Sequence, residues 1–282
     1  MRTVCVDQSG FRSKELARLI SQTDDRFVVA DAALMEMCKS TAHWERTLRR
    51  SLELLSTVPD RVWFVLGNGE CMTAELSTQQ PITLDAIVSD EITEWLRSLL
   101  VEVANTDSGP AFQLMAANIE EANRDAQRQH LNNAENRARL VGLVDTLRHA
   151  YSSSFQQRLR AGGVSEEEYV QVVSHATTLV VDDESMSWPE GATKALFDAR
   201  SYTARWLWLR VETVTSWLAK GGIESARPDR LTNSEVDNYY LAVGSYCDQF
   251  VSDDRRALEK DRRLRAALAI DVPWRMDISE ST

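Results

Sequence analysis

Residues 3–10 read TVCVDQSG, a short β-branched run that ends in an aspartate and a turn. The run TVCV has the composition of a strand, and the polar residues up to Gly10 break it before helical spacing begins at Ser13. This stretch therefore predicts a strand, a turn and a helix in succession. It places Asp7 at the carboxyl end of the strand.

The same alternation continues along the first part of the chain. The apolar run Phe27 to Ala30 predicts a second strand, and it leads into a helical stretch, DAALMEMCKS, at 31–40. A longer helix is predicted from Thr41 to Leu55, and a third strand from Arg61 to Leu66. Strands that alternate with helices imply a parallel sheet with crossover helices, and ligands bind beyond the carboxyl ends of such strands. Asp7 occupies such a position.

The middle of the chain has a different character. From about residue 83 to residue 222 the apolar spacing is helical, with few strand signals. One predicted helix runs from Thr193 to Lys220 and carries Trp206 and Trp217. Burial in a helical bundle is favoured for this helix over a surface that stacks nucleobases.

Strand and helix alternate again after Pro228. The pattern predicts a helix over 233–246, a strand in CDQFVS at 247–252, a helix at 253–269 and a closing strand in LAIDVP at 268–273. The predicted organisation is therefore a core made of residues 1–82 and 223–282, with a large all-helical insert at 83–222.

Bulk properties exclude some classes of protein. The chain has 282 residues, and no run approaches the roughly 20 apolar residues of a membrane span. Its four cysteines are scattered, so neither a zinc site nor a disulfide framework is indicated. We expect a soluble, cytoplasmic protein that does not associate with a membrane.

The net charge of −11 argues against a protein that coats nucleic acid without specificity. It leaves a nuclease open, because a metal site lined by carboxylates adds negative charge of its own. Two runs are basic, RTLRR at 46–50 and DRRALEKDRRLR at 254–265. Each is interpreted first as a solvated helix face and second as a strip that guides phosphates.

The segment EVDNYYLAVGSYCDQFVSDDRRAL at 235–258 carries a family motif. An aspartate, Asp237, opens a helix that ends in small residues, a Tyr-Cys-Asp turn follows at 246–248, and a strand then ends at Ser252, Asp253 and Asp254. This arrangement resembles the third and fourth acidic motifs of the PIN-like nuclease family. The two ends of the chain carry the resemblance, and residues 83–222 do not.

The resemblance implies a fold and a site. The fold is an α/β, PIN-like three-layer α/β/α core with a mostly parallel sheet. Asp7 and Glu36 resemble the first and second acids of the family, so the implied catalytic and metal-binding set is Asp7, Glu36, Asp237 and Asp254. Supporting roles fall to Ser9, Ser252 and Asp253. The family commonly has threonine and asparagine after its first aspartate, where this chain has Gln8 and Ser9.

The implied activity is hydrolysis of phosphodiester bonds with Mg²⁺ or Mn²⁺, by an endoribonuclease of the toxin or defence type. Hard cations prefer oxygen ligands, which suits an all-carboxylate set. RNA is favoured over DNA as the substrate. The helical insert either shapes a substrate groove, holds a protein partner or inhibitor, or mediates homo-oligomerisation. The alternative is a PIN-like scaffold without catalysis that binds a protein partner.

Asp31 stands at the start of the helix that carries Glu36. An aspartate at this position is typical of a helix N-cap, since its carboxylate accepts from the free amides of the first turn. The sequence therefore predicts a structural role for Asp31.

Overall fold

The computed structural model describes residues 1–38, 43–106, 108–119, 133–182, 194–221 and 228–270. The chain forms two compact units. The first contains Met1–Cys71, Ile82–Asn132 and Tyr239–Glu259, and the second contains Met72–Pro81, Asn133–Asn238 and Lys260–Thr282.

The first unit is built on a four-stranded sheet. Its strands are β1 (Thr3–Val6), β2 (Arg26–Ala30), β3 (Val62–Val65) and β4 (Gln249–Val251), in the order β3-β2-β1-β4. All three pairings are parallel. The predicted parallel α/β sheet is confirmed, including the late strand that returns from the end of the chain to pair with β1.

Helices account for most of the remaining described residues. In chain order they are α1 (Lys14–Gln22), α2 (Asp31–Met37), α3 (Trp44–Leu52), α4 (Asn68–Thr78), α5 (Leu84–Ile87), α6 (Asp90–Ala104), α7 (110–119), α8 (Asn133–Ala150), α9 (Ser153–Arg160), α10 (Glu166–Asp182), α11 (Lys194–Asp198), α12 (Tyr202–Leu218), α13 (Pro228–Gly244) and α14 (Arg255–Ala269). Short 3-10 turns lie at Gly10–Arg12, Leu55–Thr57 and Pro59–Arg61. None of the described helices is both long enough and apolar enough to cross a membrane.

The second unit is helical where it is described, and α12 forms its centre. Most of α12 is buried, and Trp208 is fully buried with its indole N–H donating to the Ser174 hydroxyl at 3.0 Å. The predicted burial of this helix is confirmed. The single helix expected over 193–220 is instead two, because Arg200 takes a positive φ of 52° and Ser201 caps a new helix through the Ala204 amide.

The compact units differ from the boundaries expected from the sequence. The described residues between 82 and 119 group with the sheet rather than with the helices that follow. The reason is that α6 lies against β3, where the Thr93 hydroxyl accepts from the Phe64 amide at 2.9 Å. An amphipathic pattern predicts a buried face but does not identify the surface that covers it.

One predicted strand is wrong where the structure describes it. Leu268 and Ala269, the first residues of LAIDVP, lie in the last turn of α14, and Ile270 is not in a strand. The helical spacing of the preceding residues extends through Leu268 and outweighs the local β-propensity. Residues 271–273 lie outside the described part of the chain.

Candidate functional site

Asp7 is the first residue beyond β1 and lies at the carboxyl edge of the sheet. Because β1 is an inner strand, this position falls between the ends of β2 and β4. The Asp7 amide still pairs with the carbonyl of Val251 at 3.1 Å. The side chain is only 7% exposed, so a carboxylate is buried at the edge where parallel sheets bind ligands.

Three donors fix the orientation of the Asp7 carboxylate. Oδ1 accepts from the Ser9 hydroxyl at 2.9 Å and from the Gly10 amide at 2.7 Å, and Oδ2 accepts from the Ser252 hydroxyl at 2.6 Å. Gly10 is required here because a Cβ would lie 2.4 Å from the carbonyl oxygen of Val251. Ser9 thus holds the Asp7 carboxylate from the turn that follows β1.

Two serines connect Asp7 to the turn that follows β4. The Ser9 and Ser252 hydroxyls lie 3.0 Å apart, Ser9 accepts from the Asp253 amide at 2.8 Å, and Ser252 accepts from the Asp254 amide at 2.9 Å. The Asp254 side chain is exposed and accepts from the Arg256 amide at 2.7 Å, so it caps α14. The backbone of Asp254 is therefore linked to Asp7 through one hydroxyl.

Glu36 lies on α2 and is the second acid of the site. The hydroxyl of Tyr240 donates to Glu36 Oε2 at 2.9 Å, and Tyr240 is 2% exposed. Burial, then the negative charges of Glu36 and Asp7, raise the pKa of Tyr240, which keeps it a neutral donor. Sequence reasoning did not single out Tyr240. Its position three residues after Asp237 in a helix was the available signal, because such residues share a face.

The charges of Asp7 and Glu36 interact. Burial raises the pKa of Asp7, the bonds from Ser252, Gly10 and Ser9 lower it in part, and the charge of Glu36 raises it further. The negative charge of Glu36 therefore opposes ionisation of the buried Asp7. A bound cation would relieve that opposition.

The predicted set of four acids is only partly assembled. The structure brings Asp7 and Glu36 into electrostatic contact and links Asp254 to Asp7 through Ser252. Asp237 lies half-buried on α13, within the second unit. Across the described residues, no three Asp, Glu, His or Cys side chains lie close enough together to hold one metal ion.

A second pair of acids lies at the ends of β2 and β3. Asp31 is the first residue of α2 rather than its N-cap, which is Ala30, and its carboxylate accepts from the Ala32 amide at 2.6 Å. Glu70 accepts from the Gly67 amide at 2.9 Å. Burial, with a smaller contribution from Glu70, raises the pKa of Asp31 from 3.8 to about 6. The predicted N-cap is wrong because β2 continues as far as Ala30.

Asp31→Asn should stabilise the protein in a pH-dependent way. The folded pKa lies above the unfolded one, so ionisation costs stability as pH rises through about 4 to 6. Near neutral pH we expect the variant to be more stable by about 2 kcal/mol, and the gain should vanish below about pH 4. Urea unfolding over this pH range measures the difference. The exposed Asp24→Asn serves as control, and a gain that does not change with pH would contradict the assignment.

The basic run on α14 is largely neutralised by acids. Arg262 and Arg263 pair with Glu166 at 2.7 and 3.5 Å, and Lys260 and Arg263 pair with the buried Glu212 at 3.3 and 3.0 Å. Pairs within the helix join Arg255 to Glu259 and Arg265 to Asp261. This run is therefore engaged in ion pairs rather than forming a positive surface.

Comparisons with known proteins were negative. No protein-family model, curated protein or solved structure matches the chain.

Proposed function

We propose that the chain is a metal-dependent nuclease with a PIN-like core, which hydrolyses phosphodiester bonds in RNA in preference to DNA. The observation that carries the proposal is the buried Asp7 carboxylate at the carboxyl edge of the sheet, held by three donors and coupled to Glu36. Carboxylates that face each other are typical of a metal site, because a bound cation offsets their repulsion. What distinguishes Asp7 from the Asp31–Glu70 pair is that three donors hold its carboxylate in one orientation at the sheet edge.

The donor set fits a hard cation such as Mg²⁺ or Mn²⁺. Asp7, Glu36 and the two serines offer only oxygen atoms. Mg²⁺ keeps several waters and is usually held by one or two carboxylates together with substrate phosphate, which is compatible with the Asp7–Glu36 pair. Asp7 Oδ2 has one hydrogen-bond donor, Ser252, and keeps a lone pair for an ion.

The residues of the site have different roles in the proposed reaction. A bound cation would polarise the phosphodiester and lower the pKa of a water molecule. Ser9 and Ser252 hold the Asp7 carboxylate in one orientation, and the neutral Tyr240 orients Glu36 by donating to it. Outer-shell hydrogen bonds of this kind fix metal ligands in place.

Asp237 and Asp254 stay in the proposal on the strength of the tail motif. Asp254 keeps one carboxylate oxygen, Oδ2, outside its helix-capping bond. Asp253 is the alternative to Asp254, because its amide is held by Ser9 and its side chain is exposed. A toxin or defence role and cytoplasmic action rest on the family resemblance alone.

The test is cleavage by the purified full chain. Labelled RNA should be degraded when Mg²⁺ or Mn²⁺ is present, single-stranded DNA should be degraded more slowly, and EDTA should abolish both reactions. Restoring activity by adding metal in excess of the chelator separates metal dependence from irreversible damage. Cleavage that persists in chelator after metal has been removed by dialysis would overturn the mechanism.

A second candidate is a PIN-like scaffold that binds a protein partner and does not catalyse. The observation in its favour is that the described residues contain no cluster of three potential metal ligands. The two candidates differ in one measurement, because the scaffold gains no thermal stability from Mn²⁺ and the nuclease does.

A further inference from the structure

A groove of about 350 Å³ lies along α3 in the first unit. We call it the α3 groove and define it by the residues that line it, which are His43, Glu45, Arg46, Arg49 and Arg50. Three arginines face one glutamate there, a local charge of +2 in a chain whose net charge is −11. This helix is therefore a local exception to the acidic character of the chain.

The charged face of α3 is presented to solvent because the opposite face is used for packing. Leu48, Ser51 and Leu52 are buried, whereas Arg46 and Arg50 are exposed. Residues four apart on a helix lie about 5–6 Å from each other at Cβ, so Arg46 and Arg50 form a short row of charge. Neither makes an ion pair within the described residues, in contrast to the basic residues of α14.

Arg49 forms the fixed wall of the groove. Its guanidinium lies over the ring of Phe112 at 4.3 Å, approaches Glu45 at 3.5 Å and contacts the Ser108 hydroxyl at 3.4 Å. Trp44 stacks on the same ring of Phe112, with ring centroids 5.4 Å apart. Glu45 is thus occupied by Arg49, and the positive charges of Arg46 and Arg50 are left without local compensation.

We propose that the α3 groove binds the phosphates of single-stranded nucleic acid through Arg46 and Arg50. Guanidinium groups form paired, charge-assisted hydrogen bonds with phosphate oxygens. The inference rests on the proposed function, because α3 packs against α2, the helix that carries Glu36. A strand bound in the groove therefore lies on the same unit as the Asp7–Glu36 pair.

The spacing and charge of the arginines in the groove favour a strand over other anionic partners. A row of two arginines along one helix complements a chain that carries a charge at every repeat. A flat anionic membrane would also meet the exposed Glu45 and Glu53, which lie on the same helix and just after it. An acidic peptide also offers planar carboxylates to guanidinium groups, so poly-aspartate is included in the test as a competitor.

The experiment measures binding without cleavage. A short fluorescein-labelled single-stranded RNA is titrated with the full chain in EDTA, and fluorescence anisotropy gives Kd over a series of salt concentrations. Arg46→Gln/Arg50→Gln should weaken binding at least about tenfold at low salt, and should reduce the slope of log Kd against log salt by about 1.4, or about 0.7 for each phosphate that is no longer neutralised. Circular dichroism checks that the variant is folded.

Arg158→Gln/Arg160→Gln is the matched control. It makes the same change in net charge at exposed positions on α9, in the second unit, so it should leave the slope unchanged. Equal losses of RNA affinity in the two variants would overturn the proposed binding site, since the loss would then follow the net charge of the protein. The proposal would also be overturned if poly-aspartate or phosphatidylserine vesicles bound more tightly than RNA and if Arg46→Gln/Arg50→Gln abolished that binding.

The two proposals fail in different ways. If RNA binding shows the expected loss of salt dependence in Arg46→Gln/Arg50→Gln but no metal-dependent cleavage is found, the binding site in the α3 groove stands and the nuclease function is rejected. Cleavage with unchanged binding in Arg46→Gln/Arg50→Gln would retain the nuclease and remove the groove.

Discussion

Under the proposed function, replacing Asp7 with asparagine is expected to lower the rate of RNA cleavage by more than about a hundredfold, because the loss of a proposed metal ligand should exceed the roughly 10–100-fold effect typical of its supporting residues. The fold should be retained. Burial already raises the pKa of Asp7, so a neutral side chain of the same shape removes a desolvated charge. The asparagine oxygen still accepts from Gly10, and its amide nitrogen can donate to Ser252. Initial cleavage rates and urea unfolding, measured on the same preparations, check both parts.

Thermal unfolding with Mn²⁺ separates loss of metal binding from loss of chemistry. An ion that binds only the folded state adds about 2.7 kcal/mol at a concentration about one hundred times its Kd, and Asp7→Asn should lose most of this gain. The exposed Asp24→Asn should keep both the gain and the activity. If Asp7→Asn cleaves RNA at the wild-type rate, the site lies elsewhere.

The same two measurements decide the roles of the tail acids. Asp237→Asn and Asp254→Asn should each remove cleavage and reduce the gain from Mn²⁺. Their stability without metal should be equal to or slightly above that of the wild type, since asparagine has nearly the shape of aspartate without its charge, and at position 254 it still caps α14. Variants that keep full activity and the full gain would show that the tail motif was misassigned.

Glu75→Ala is expected to cost about 3–5 kcal/mol of unfolding free energy. Glu75 is fully buried in the second unit and accepts from the Tyr202 amide at 2.9 Å and the Thr203 amide at 2.8 Å, the first two free amides of α12. Each broken bond leaves a buried N–H without a partner, at about 1–3 kcal/mol apiece, and the missing side chain leaves a cavity. Urea unfolding measures the destabilisation.

Two further variants test the cause of that destabilisation. Glu75→Gln keeps one acceptor but turns an amide donor toward the second N–H, so it should also destabilise the protein by at least about 1 kcal/mol. The exposed Glu167→Ala should change stability by no more than about 0.5 kcal/mol. A similarly small effect of Glu75→Ala would mean that α12 does not depend on this cap.

Local pattern was sufficient to predict the elements of the sheet. β1, β2 and β3 follow from short β-branched runs bounded by turns, and β4 follows from QFV after a Tyr-Cys-Asp turn. The pattern did not predict which helix packs on which strand. The placement of α6 on β3 depends on the Thr93 hydroxyl meeting the Phe64 amide, and no periodicity encodes that bond.

The resemblance of the two chain ends to PIN-like acidic motifs implied a site of Asp7, Glu36, Asp237 and Asp254, and that set stays a prediction. In the structure the charge of Glu36 acts on Asp7, whereas Asp237 lies in the second unit. The role of Ser252 as a donor to Asp7 joins residues 245 positions apart, and Tyr240 reaches Glu36 across 204 positions. Contacts over such separations are fixed by the folded sheet and by α13, and single-sequence patterns carry no record of them.

The pairing of β1 with both β2 and β4 has a consequence for the order in which the molecule is made. Val6 is opposite Val29, which is synthesised soon after it, and opposite Val251, which is synthesised much later. Until β4 emerges, one side of β1 offers unpaired N–H and C=O groups to any neighbouring chain. Pairing over so long a separation is slow, because the intervening loop must close first. The growing chain therefore gains the partner for the open side of β1 and the Ser252 bond to Asp7 in one late step, and a partly made chain has neither.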